Sequence, residues 1–312
     1  MLSVLEYLPF KRLARRLRLS TDMTTAEMWD THIHCFDPER YPFKPTRKYT
    51  PGPAKLDDLL RSCQSKKVVL VQASIEDGYH GLVAHLQRIH AEYPHLVARG
   101  TICMDEDWET LSDQEFDFLH NVGVRSCRVH GILGAHRLSV EDQIRQFARS
   151  YPARKFGWSL SAQLPLTVWA SLEDVALHDP EISPLAIIAD HNGCATPADI
   201  GSAELKAFVN MLQSERLYVK ISALYRRCPE SIEYMQPIIH QFATLAPQSL
   251  LWGSDWPHVD TSNRSLQPPD TDKTKAERVD DVPGERLALK SWLTDKQWSA
   301  MLIDNPNRVF ES

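Results

Sequence analysis

The chain has 312 residues, of which 43% are hydrophobic and 24% are charged, and its formal net charge is −6. This composition is typical of a soluble globular protein with a sizeable core. The body of the chain has no basic block that would follow a phosphate backbone, which argues against nucleic-acid binding. No stretch approaches the roughly 18 apolar residues of a membrane span, so we expect no membrane partner.

Residues 1–22 differ from the rest because five basic residues lie on an apolar background. We therefore predict an N-terminal extension, residues 1–27, and one domain, residues 28–312. The six cysteines form no C-x-x-C pair, which favours reduced thiols and a cytoplasmic protein. The alternative is a mitochondrial location, because an Arg-rich amphipathic start is also typical of a targeting helix.

Short apolar runs alternate with longer amphipathic segments, which is the pattern of repeated strand–helix units around a parallel sheet. The predicted strands are 29–36, 68–74, 97–104, 124–130, 158–164, 185–191, 217–223 and 250–256. Segments with apolar residues three or four positions apart, which predict helices, are 81–93, 112–122, 140–152, 202–215 and 231–245. Eight such units indicate an α/β fold, a single (β/α)8 TIM barrel.

Polar side chains stand at the carboxyl end of almost every predicted strand, where TIM barrels build their active sites. A doubly wound sheet would instead concentrate them at one switch point. These residues include His32, His34, Ser74, Arg128, His130, Gln163, His191 and Asp255. The polar segment 258–285 predicts an irregular excursion over the barrel mouth, or else a solvated insert.

Two histidines end the first predicted strand. Given the two-residue period of a strand, His32 and His34 point into the barrel mouth while Ile33 packs outward. Such a pair is a common platform for a metal ion, although two hydrogen-bonded core histidines have the same pattern. Asp255 ends the last strand and His191 the sixth, so a carboxylate base and imidazoles surround one cavity.

The motifs D-T-H-I-H, V-Q-A-S, D-H-x-G, W-G-S-D-W-P-H and N-P-N-R-V-F occur in this order along the chain. Together they resemble the amidohydrolase superfamily, and more narrowly the amidohydrolase-2 branch that includes the 2-pyrone-4,6-dicarboxylate lactonases. The resemblance covers about residues 28–312 and implies a barrel hydrolase. It also implies that Asn305 and Arg308, in the last motif, hold the final helix to the barrel.

The resemblance implies a metal set completed by a ligand on strand four or five. Here Arg128 and His130 end strand four and Gln163 ends strand five, and guanidinium and amide groups are poor ligands for zinc. We therefore expect no cofactor, as in the metal-free lactonase of this branch. The alternative is zinc, with the ligands His32, His34, His191 and Asp255.

In the metal-free interpretation, Asp255 accepts a proton from water as the water attacks the ester carbonyl of a lactone, and later returns it to the leaving oxygen. His32, His34 and His191 donate hydrogen bonds to the carbonyl oxygen as it gains negative charge.

A small carboxylate or lactone is the expected partner. The candidates for binding it are Arg128, Arg226, Tyr49, Ser74, Gln163 and His130. The first four follow from the resemblance, whereas Gln163 replaces a family tyrosine and His130 shares the inward parity of Arg128. The family's second strand-four arginine falls near Gly134, with Arg137 close by, so one carboxylate anchor is missing. We expect a monocarboxylate, or a larger pyrone or aromatic lactone.

Two other functions stay open at this stage. One is a metal-dependent decarboxylase acting on an aromatic or enol carboxylate. Its weak point is that this chain has no strand-five histidine. The other is a non-catalytic barrel used for binding, against which the intact H-x-H, D-H and S-D-W motifs argue. The sequence pattern does not determine an oligomeric state.

Overall fold

A computed structural model of the chain describes residues 27–47, 49–129, 138–259, 275–276 and 282–311. The basic N-terminal cluster, His130, Gly134 and Arg137 lie outside these ranges, so the predictions made for them are not addressed by the structure. No helix in the described ranges is long and apolar enough to cross a membrane.

Ten strands occur in the described residues. They are β1 (Trp29–Ile33), β2 (Thr50–Pro51), β3 (Lys67–Val71), β4 (Val97–Cys103), β5 (Val124–Val129), β6 (Ser159–Ala162), β7 (Ile187–Ala189), β8 (Leu217–Ile221), β9 (Leu250–Trp252) and β10 (Lys275–Ala276). All but β2 and β10 form one parallel sheet in chain order. Every predicted strand is present and the (β/α)8 prediction is confirmed. Seven of the eight strands end before their predicted ends, because the residues there belong to the loops; the fourth reaches the edge of the described range at Val129.

Helices cover the outside of the sheet. They are α1 (Leu56–Ser62), α2 (His80–Glu92), α3 (Asp113–Asn121), α4 (Val140–Arg149), α5 (Tyr151–Phe156), α6 (Leu166–Ser171), α7 (Glu173–His178), α8 (Ala203–Gln213), α9 (Gln236–Leu245), α10 (Val282–Trp292), α11 (Asp295–Ser299) and α12 (Asn305–Phe310). Ser112, Ser139, Ser202 and Thr294 cap four of them by accepting a backbone N–H, which explains where these helices begin.

The barrel closes along a seam between β1 and the segment that follows β9. The backbone N–H of His34 donates to the Trp256 carbonyl at 2.8 Å, and that of Asp255 donates to the His32 carbonyl at 2.9 Å. Gly253 permits this approach, because a Cβ atom on it would lie 2.5 Å from the His32 Cβ. The seam therefore joins the first and last barrel strands beside the predicted site.

An irregularity in β1 turns the histidines toward the barrel axis. The pairing register with β3 shifts between Asp30 and Ile33, as at a β-bulge. Before the shift, Trp29 packs in the small cluster inside the barrel; after it, Ile33 packs in the large cluster that includes the helices. The predicted inward direction of His32 and outward direction of Ile33 follow from this shift.

The C-terminal helix α12 is tied to the barrel by amide side chains. Asn305 donates to the carbonyls of Pro247 and Leu250, both at 2.8 Å. Arg308 donates to the Gln248 carbonyl at 2.5 Å, and also to the Asn305 side chain at 2.9 Å. Phe310 completes the interior cluster beneath Trp29. The holding role predicted for Asn305 and Arg308 agrees with these contacts.

The short strands β2 and β10 pair in parallel away from the barrel. Lys275 lies opposite Thr50, and Ala276 lies opposite Pro51. This pairing places residues 275 and 276 next to the strand that follows Tyr49, a predicted substrate-binding residue.

Candidate active site

Three imidazoles converge on one carboxylate oxygen at the barrel mouth. The Nε2 atoms of His32, His34 and His191 lie 3.8, 3.7 and 3.8 Å from Oδ1 of Asp255. His32 and Asp255 are buried, and the side chain of His34 is 12% exposed. The four residues predicted to carry the chemistry therefore form one cluster, contributed by three strand ends.

Left-handed backbone conformations present two of these side chains. His191 and Asp255, immediately after β7 and just beyond β9, have φ values of 52° and 59°. Residues other than glycine rarely adopt this region, and such strain is found mainly where the surrounding structure enforces it for function. The Asp30 carboxylate supports the second turn, because its Oδ1 accepts the backbone N–H of Ser254 at 2.9 Å.

Burial sets the protonation states of the cluster. Burial and the nearby Lys220 ammonium together lower the pKa of His32 to about 3. Burial also holds the pKa values of His34 and His191 well below their usual range, so all three imidazoles are neutral at pH 7. For Asp255, burial raises the pKa to about 6 against the opposing influence of Arg226. The carboxyl is therefore ionised at neutral pH and still basic enough to accept a proton.

Arg226 contacts the other oxygen of this carboxylate. Its Nη2 forms an ion pair with Oδ2 of Asp255 and donates to the Val259 carbonyl at 2.7 Å. Tyr225 lies beside this pair, and its hydroxyl helps to lower the pKa of Asp255. Oδ1 is therefore left as the oxygen that faces the imidazoles.

A second carboxylate, Asp190, lies behind His32 and holds two cations. Its Oδ1 is 3.1 Å from Nζ of Lys220, and its Oδ2 is 3.1 Å from Nε of Arg128. Lys220 and Asp190 are fully buried. Burial alone would raise the pKa of Asp190, but Lys220 and Arg128 hold it well below its usual range. The cluster is a buried, ionised network with one more cation than carboxylates.

Hydrogen bonds on the Nδ1 side determine what each imidazole presents to the cavity. Nζ of Lys220 lies 3.3 Å from Nδ1 of His32, and an ammonium group can only donate. Oδ1 of Asp190 is farther from this nitrogen, at 3.5 Å, so we assign Nδ1 as the acceptor in the Lys220 contact. The hydrogen then sits on Nε2, which is buried and has no hydrogen-bond partner among the described residues. The contact with Lys220 thus makes His32 a donor toward the cavity.

His34 has the opposite arrangement. Its Nδ1 lies 2.6 Å from the Val71 carbonyl, which can only accept, so Nδ1 carries the hydrogen. In the neutral ring, Nε2 then carries a lone pair that faces Asp255. This differs from the expectation that all three imidazoles donate to the substrate. His191 is held by Ser222, whose Oγ lies 2.7 Å from Nδ1.

Only some of the predicted substrate-binding residues lie near the cluster. Arg128 reaches Gln163, with Nη2 3.5 Å from Oε1, and Tyr49 is close enough to Arg226 to affect the pKa of the guanidinium. Ser74 is exposed in the turn after β3. His130 lies outside the described residues, so its role stays a prediction.

Sequence reasoning missed Lys220 and Tyr225. A signal for Lys220 was present, because it is a charged residue within an apolar strand, at the same parity as Tyr218, which packs against the cluster inside the barrel. Tyr225 carries no such signal, since its position depends on the loop after β8.

Comparisons with known proteins identify the family of this chain. The family model described as amidohydrolase matches residues 29–311. The 4-sulfomuconolactone hydrolase of Hydrogenophaga intermedia is 24% identical over 291 residues, covering 90% of this chain and 88% of the relative. The 2-pyrone-4,6-dicarboxylate hydrolase of Comamonas testosteroni is 26% identical over 308 residues, covering 90% and 89%.

Solved structures show the same fold. An apo crystal structure from Agrobacterium tumefaciens matches with a TM-score of 0.68 at 18% identity, covering 91% of this chain and 94% of that one. An amidohydrolase from Burkholderia multivorans, with bound zinc, matches with a TM-score of 0.55 at 16% identity, covering 91% and 99%.

Proposed function

This chain belongs to the amidohydrolase family of hydrolases, and we propose that it opens the ring of a lactone that carries acidic groups, without a metal ion. Two relatives named for hydrolysing such lactones, a sulfomuconolactone and a pyrone dicarboxylate, align over 90% of the chain and support this substrate class. The observation that carries the proposal is Asp255, a buried carboxylate with a raised pKa that faces three neutral imidazoles.

The first step is attack of water on the ester carbonyl. Oδ1 of Asp255 and Nε2 of His34 are both acceptors, so they orient a water molecule and Asp255 takes its proton. Nε2–H of His32 donates to the carbonyl oxygen as negative charge develops there. A single well-placed donor of this kind contributes about 3 to 4 kcal/mol.

The second step breaks the ring C–O bond of the tetrahedral intermediate. Asp255, which now holds the proton from water, returns it to the leaving enol or alkoxide oxygen. The products are an acyclic carboxylic acid and a hydroxyl or enol group, and Asp255 regains its starting ionisation. Its pKa of about 6 suits both directions of this transfer.

Two arginines at the barrel mouth can bind an acidic group of the substrate. Arg226 and Arg128 each use part of the guanidinium fork on an aspartate, through Asp255 and Asp190 respectively. The remaining N–H groups of such a fork match a carboxylate. We propose that these two residues, with Tyr49 and Gln163, orient the acidic lactone over Asp255.

The cluster also has the ligand spacing of a divalent metal site. One ligand atom each from His32, His34 and Asp255 lie within 4.8 Å of one another, and His191 adds a fourth donor. A bound ion would polarise the carbonyl and lower the pKa of a bound water molecule. Against this, the Lys220 contact puts a hydrogen on Nε2 of His32, where a ligand needs a lone pair. This mismatch supports the metal-independent proposal.

A second candidate function is a metal-dependent decarboxylase of an aromatic or enol carboxylate. It rests on the same ligand atoms of His32, His34 and Asp255. It requires the hydrogen of His32 to move to Nδ1, where Asp190 lies 3.5 Å away and could accept it.

Elemental analysis of the purified protein, combined with kinetics on 2-pyrone-4,6-dicarboxylate and 4-sulfomuconolactone, separates these candidates. We expect hydrolysis to survive a chelator and kcat/KM to rise with pH through about 6, as Asp255 ionises. Asp255→Asn should lower kcat by about 100- to 10,000-fold. Asp295→Asn, at an exposed residue of α11, is the matched control.

Stoichiometric metal with activity lost on chelation would overturn metal independence. Release of carbon dioxide by the metal-loaded protein would establish the decarboxylase instead.

A further inference from the structure

The turn that carries Arg226 has no capping side chain of its own. Residues Leu224–Arg226 form a single turn of 3-10 helix after β8, and the turn starts from Ala223, whose φ of 49° is in the left-handed region. The first backbone N–H groups of such a turn have no acceptor within it. The N-cap side chain usually supplies one, but Ala223 has only a methyl group. The turn therefore needs an acceptor from elsewhere in the chain.

Glu285 supplies this acceptor. Its Oε2 accepts the Leu224 N–H at 2.9 Å, although the two residues are 61 positions apart. Glu285 lies in the first turn of α10 and is 5% exposed. Burial raises its pKa to about 7, and the N–H groups of Leu224 and Tyr225 oppose this rise. Burying a carboxyl is costly unless it is hydrogen-bonded, so Glu285 and the turn satisfy each other.

The same turn is bound to the carboxylate of Asp255. Nη2 of Arg226 pairs with Oδ2 of Asp255 and donates to the Val259 carbonyl at 2.7 Å. Glu285 therefore holds the backbone of a turn whose side chain holds Asp255. Val259 and Glu285 lie near the two ends of the polar segment 258–285, and both are bound to residues 224–226. The position of Arg226 thus depends on a residue outside the barrel strands.

We infer that Glu285 is a positioning residue for the proposed hydrolysis, on which the inference rests. Glu285 touches no reacting atom and acts through the turn 224–226. By fixing this turn, it keeps Arg226 on Oδ2 of Asp255, so that Oδ1 stays directed at the imidazoles and the attacking water. Release of the turn from Glu285 would let the guanidinium withdraw from the carboxylate.

Two influences of Glu285 on Asp255 have opposite signs and can be separated. The Arg226 guanidinium lowers the pKa of Asp255, so withdrawal of Arg226 raises that pKa. The charges of Glu285 and Asp255 repel each other, so loss of the Glu285 charge alone lowers it. The other charged or titratable groups that face Asp255 stay the same: His32, His34, Arg128, Asp190, His191 and Tyr225.

The ionisation of Asp255 in the free protein tests this role without turnover. It is followed by the carboxyl ¹³C shift, assigned by comparison with Asp255→Asn. Glu285→Met removes the acceptor, and we expect Asp255 to ionise about one pH unit higher than in the wild type, because it loses a nearby opposite charge. Glu285→Gln keeps an oxygen for the Leu224 N–H, so Asp255 should ionise at the wild-type pH or below. Glu92→Met, at an exposed residue of α2, is the matched control.

Kinetics on the two lactones supply a second measurement on the same variants. In Glu285→Met, kcat should fall by about 10- to 100-fold, because a small displacement of a catalytic group has an effect of this size. The acid limb of kcat/KM should move to higher pH together with the ionisation of Asp255. Glu285→Gln should recover most of kcat. If Glu285→Met does not fold, Glu285→Asp shortens the side chain by one methylene group and should shift Asp255 in the same direction.

A folded Glu285→Met or Glu285→Asp in which Asp255 ionises at the wild-type pH would refute the positioning role. An equal rise in Glu285→Gln would also refute it, because that variant keeps the acceptor. If Asp255 shifts as expected but the wild type hydrolyses no lactone, the proposed function fails while the role of Glu285 in holding Arg226 on Asp255 stands.

Discussion

At the scale of single residues, the site depends on which nitrogen of each imidazole carries the hydrogen. Val71 makes Nε2 of His34 an acceptor, whereas Lys220 makes Nε2 of His32 a donor. The two histidines have these opposite roles although both lie at the end of β1. Nε2 of a neutral histidine can be a hydrogen-bond donor or acceptor, and the hydrogen bond made by Nδ1 determines which. One acceptor and one donor around Asp255 are what water activation and carbonyl stabilisation require.

Lys220→Met tests this role of the lysine as a positioning residue. Without the ammonium group, the His32 hydrogen is free to move to Nδ1 and toward Asp190. We expect kcat to fall by about 10- to 100-fold with a smaller change in KM, as for loss of one oxyanion donor. The ¹⁵N shifts of the His32 ring should report the change of tautomer. Lys206→Met, at an exposed residue of α8, is the control.

Loss of one partner from a buried ion pair can destabilise a protein by about 3–5 kcal/mol. In Lys220→Met the Asp190 carboxylate keeps Arg128 as its partner, so we expect a smaller loss and a variant that still folds. An unchanged tautomer in a folded variant would refute the assigned role of Lys220.

The candidate residues at strand ends were accessible to sequence reasoning, because a barrel gathers those ends at one face. His32, His34, His191 and Asp255 were identified in this way. Tyr225 was not, because its position depends on the loop after β8. Hydrogen positions on the imidazoles were also beyond reach, since they depend on contacts between strands distant in sequence.

At the scale of elements, buried carboxyls stabilise the loops that follow the strands. Glu76 lies after β3 and its Oε2 accepts the Ala73 N–H at 2.6 Å. Burial raises its pKa to about 8, with no ion pair to Glu76 among the described residues. The protein therefore holds this side chain protonated over a wide pH range.

The pH dependence of stability should reveal Glu76. Its pKa in the folded state, about 8, is above the ordinary value of 4.5, so the folded protein binds more protons between these limits. Its contribution is fully present below about pH 4.5 and is lost as pH rises through 8. Glu76→Gln keeps the acceptor and cannot ionise, so it should be more stable than wild type by up to a few kcal/mol at pH 8.

Urea unfolding at pH 5 and pH 8 measures this difference. At pH 5 the two proteins should be nearly equal in free energy of unfolding. Glu215→Gln, at an exposed turn after α8, serves as the control. A pH-independent difference between Glu76→Gln and wild type would contradict the assigned ionisation.

At the scale of the whole molecule, the barrel topology followed from eight apolar runs in order, because each run forms one strand with helices outside it. Seven strand ends were placed too late, since the residues after these strands continue the strand pattern. The bulge in β1 was not visible in the sequence, because it depends on pairing with β3.

The seam between β1 and the end of β9 should tolerate no side chain at Gly253. In Gly253→Ala, the new Cβ would lie 2.5 Å from the His32 Cβ and 2.9 Å from its backbone N, so the strands must separate. We expect a loss of about 1–3 kcal/mol in stability, together with activity, because His32 and Asp255 both flank the contact. Gly52→Ala has no atom within 4 Å of the new Cβ and is the control. Normal activity in Gly253→Ala would show that the seam can relax.

The same seam has a consequence for the synthesis of the protein. His32 emerges early from the ribosome, whereas its partner Asp255 follows 223 positions later. A nascent chain that has already formed its first strands still lacks the carboxylate, and contacts between such distant residues form slowly. Under the proposed mechanism, hydrolysis becomes possible only when the final strand has docked. Catalytic activity during refolding should therefore appear with the last kinetic phase and not with the earlier recovery of secondary structure.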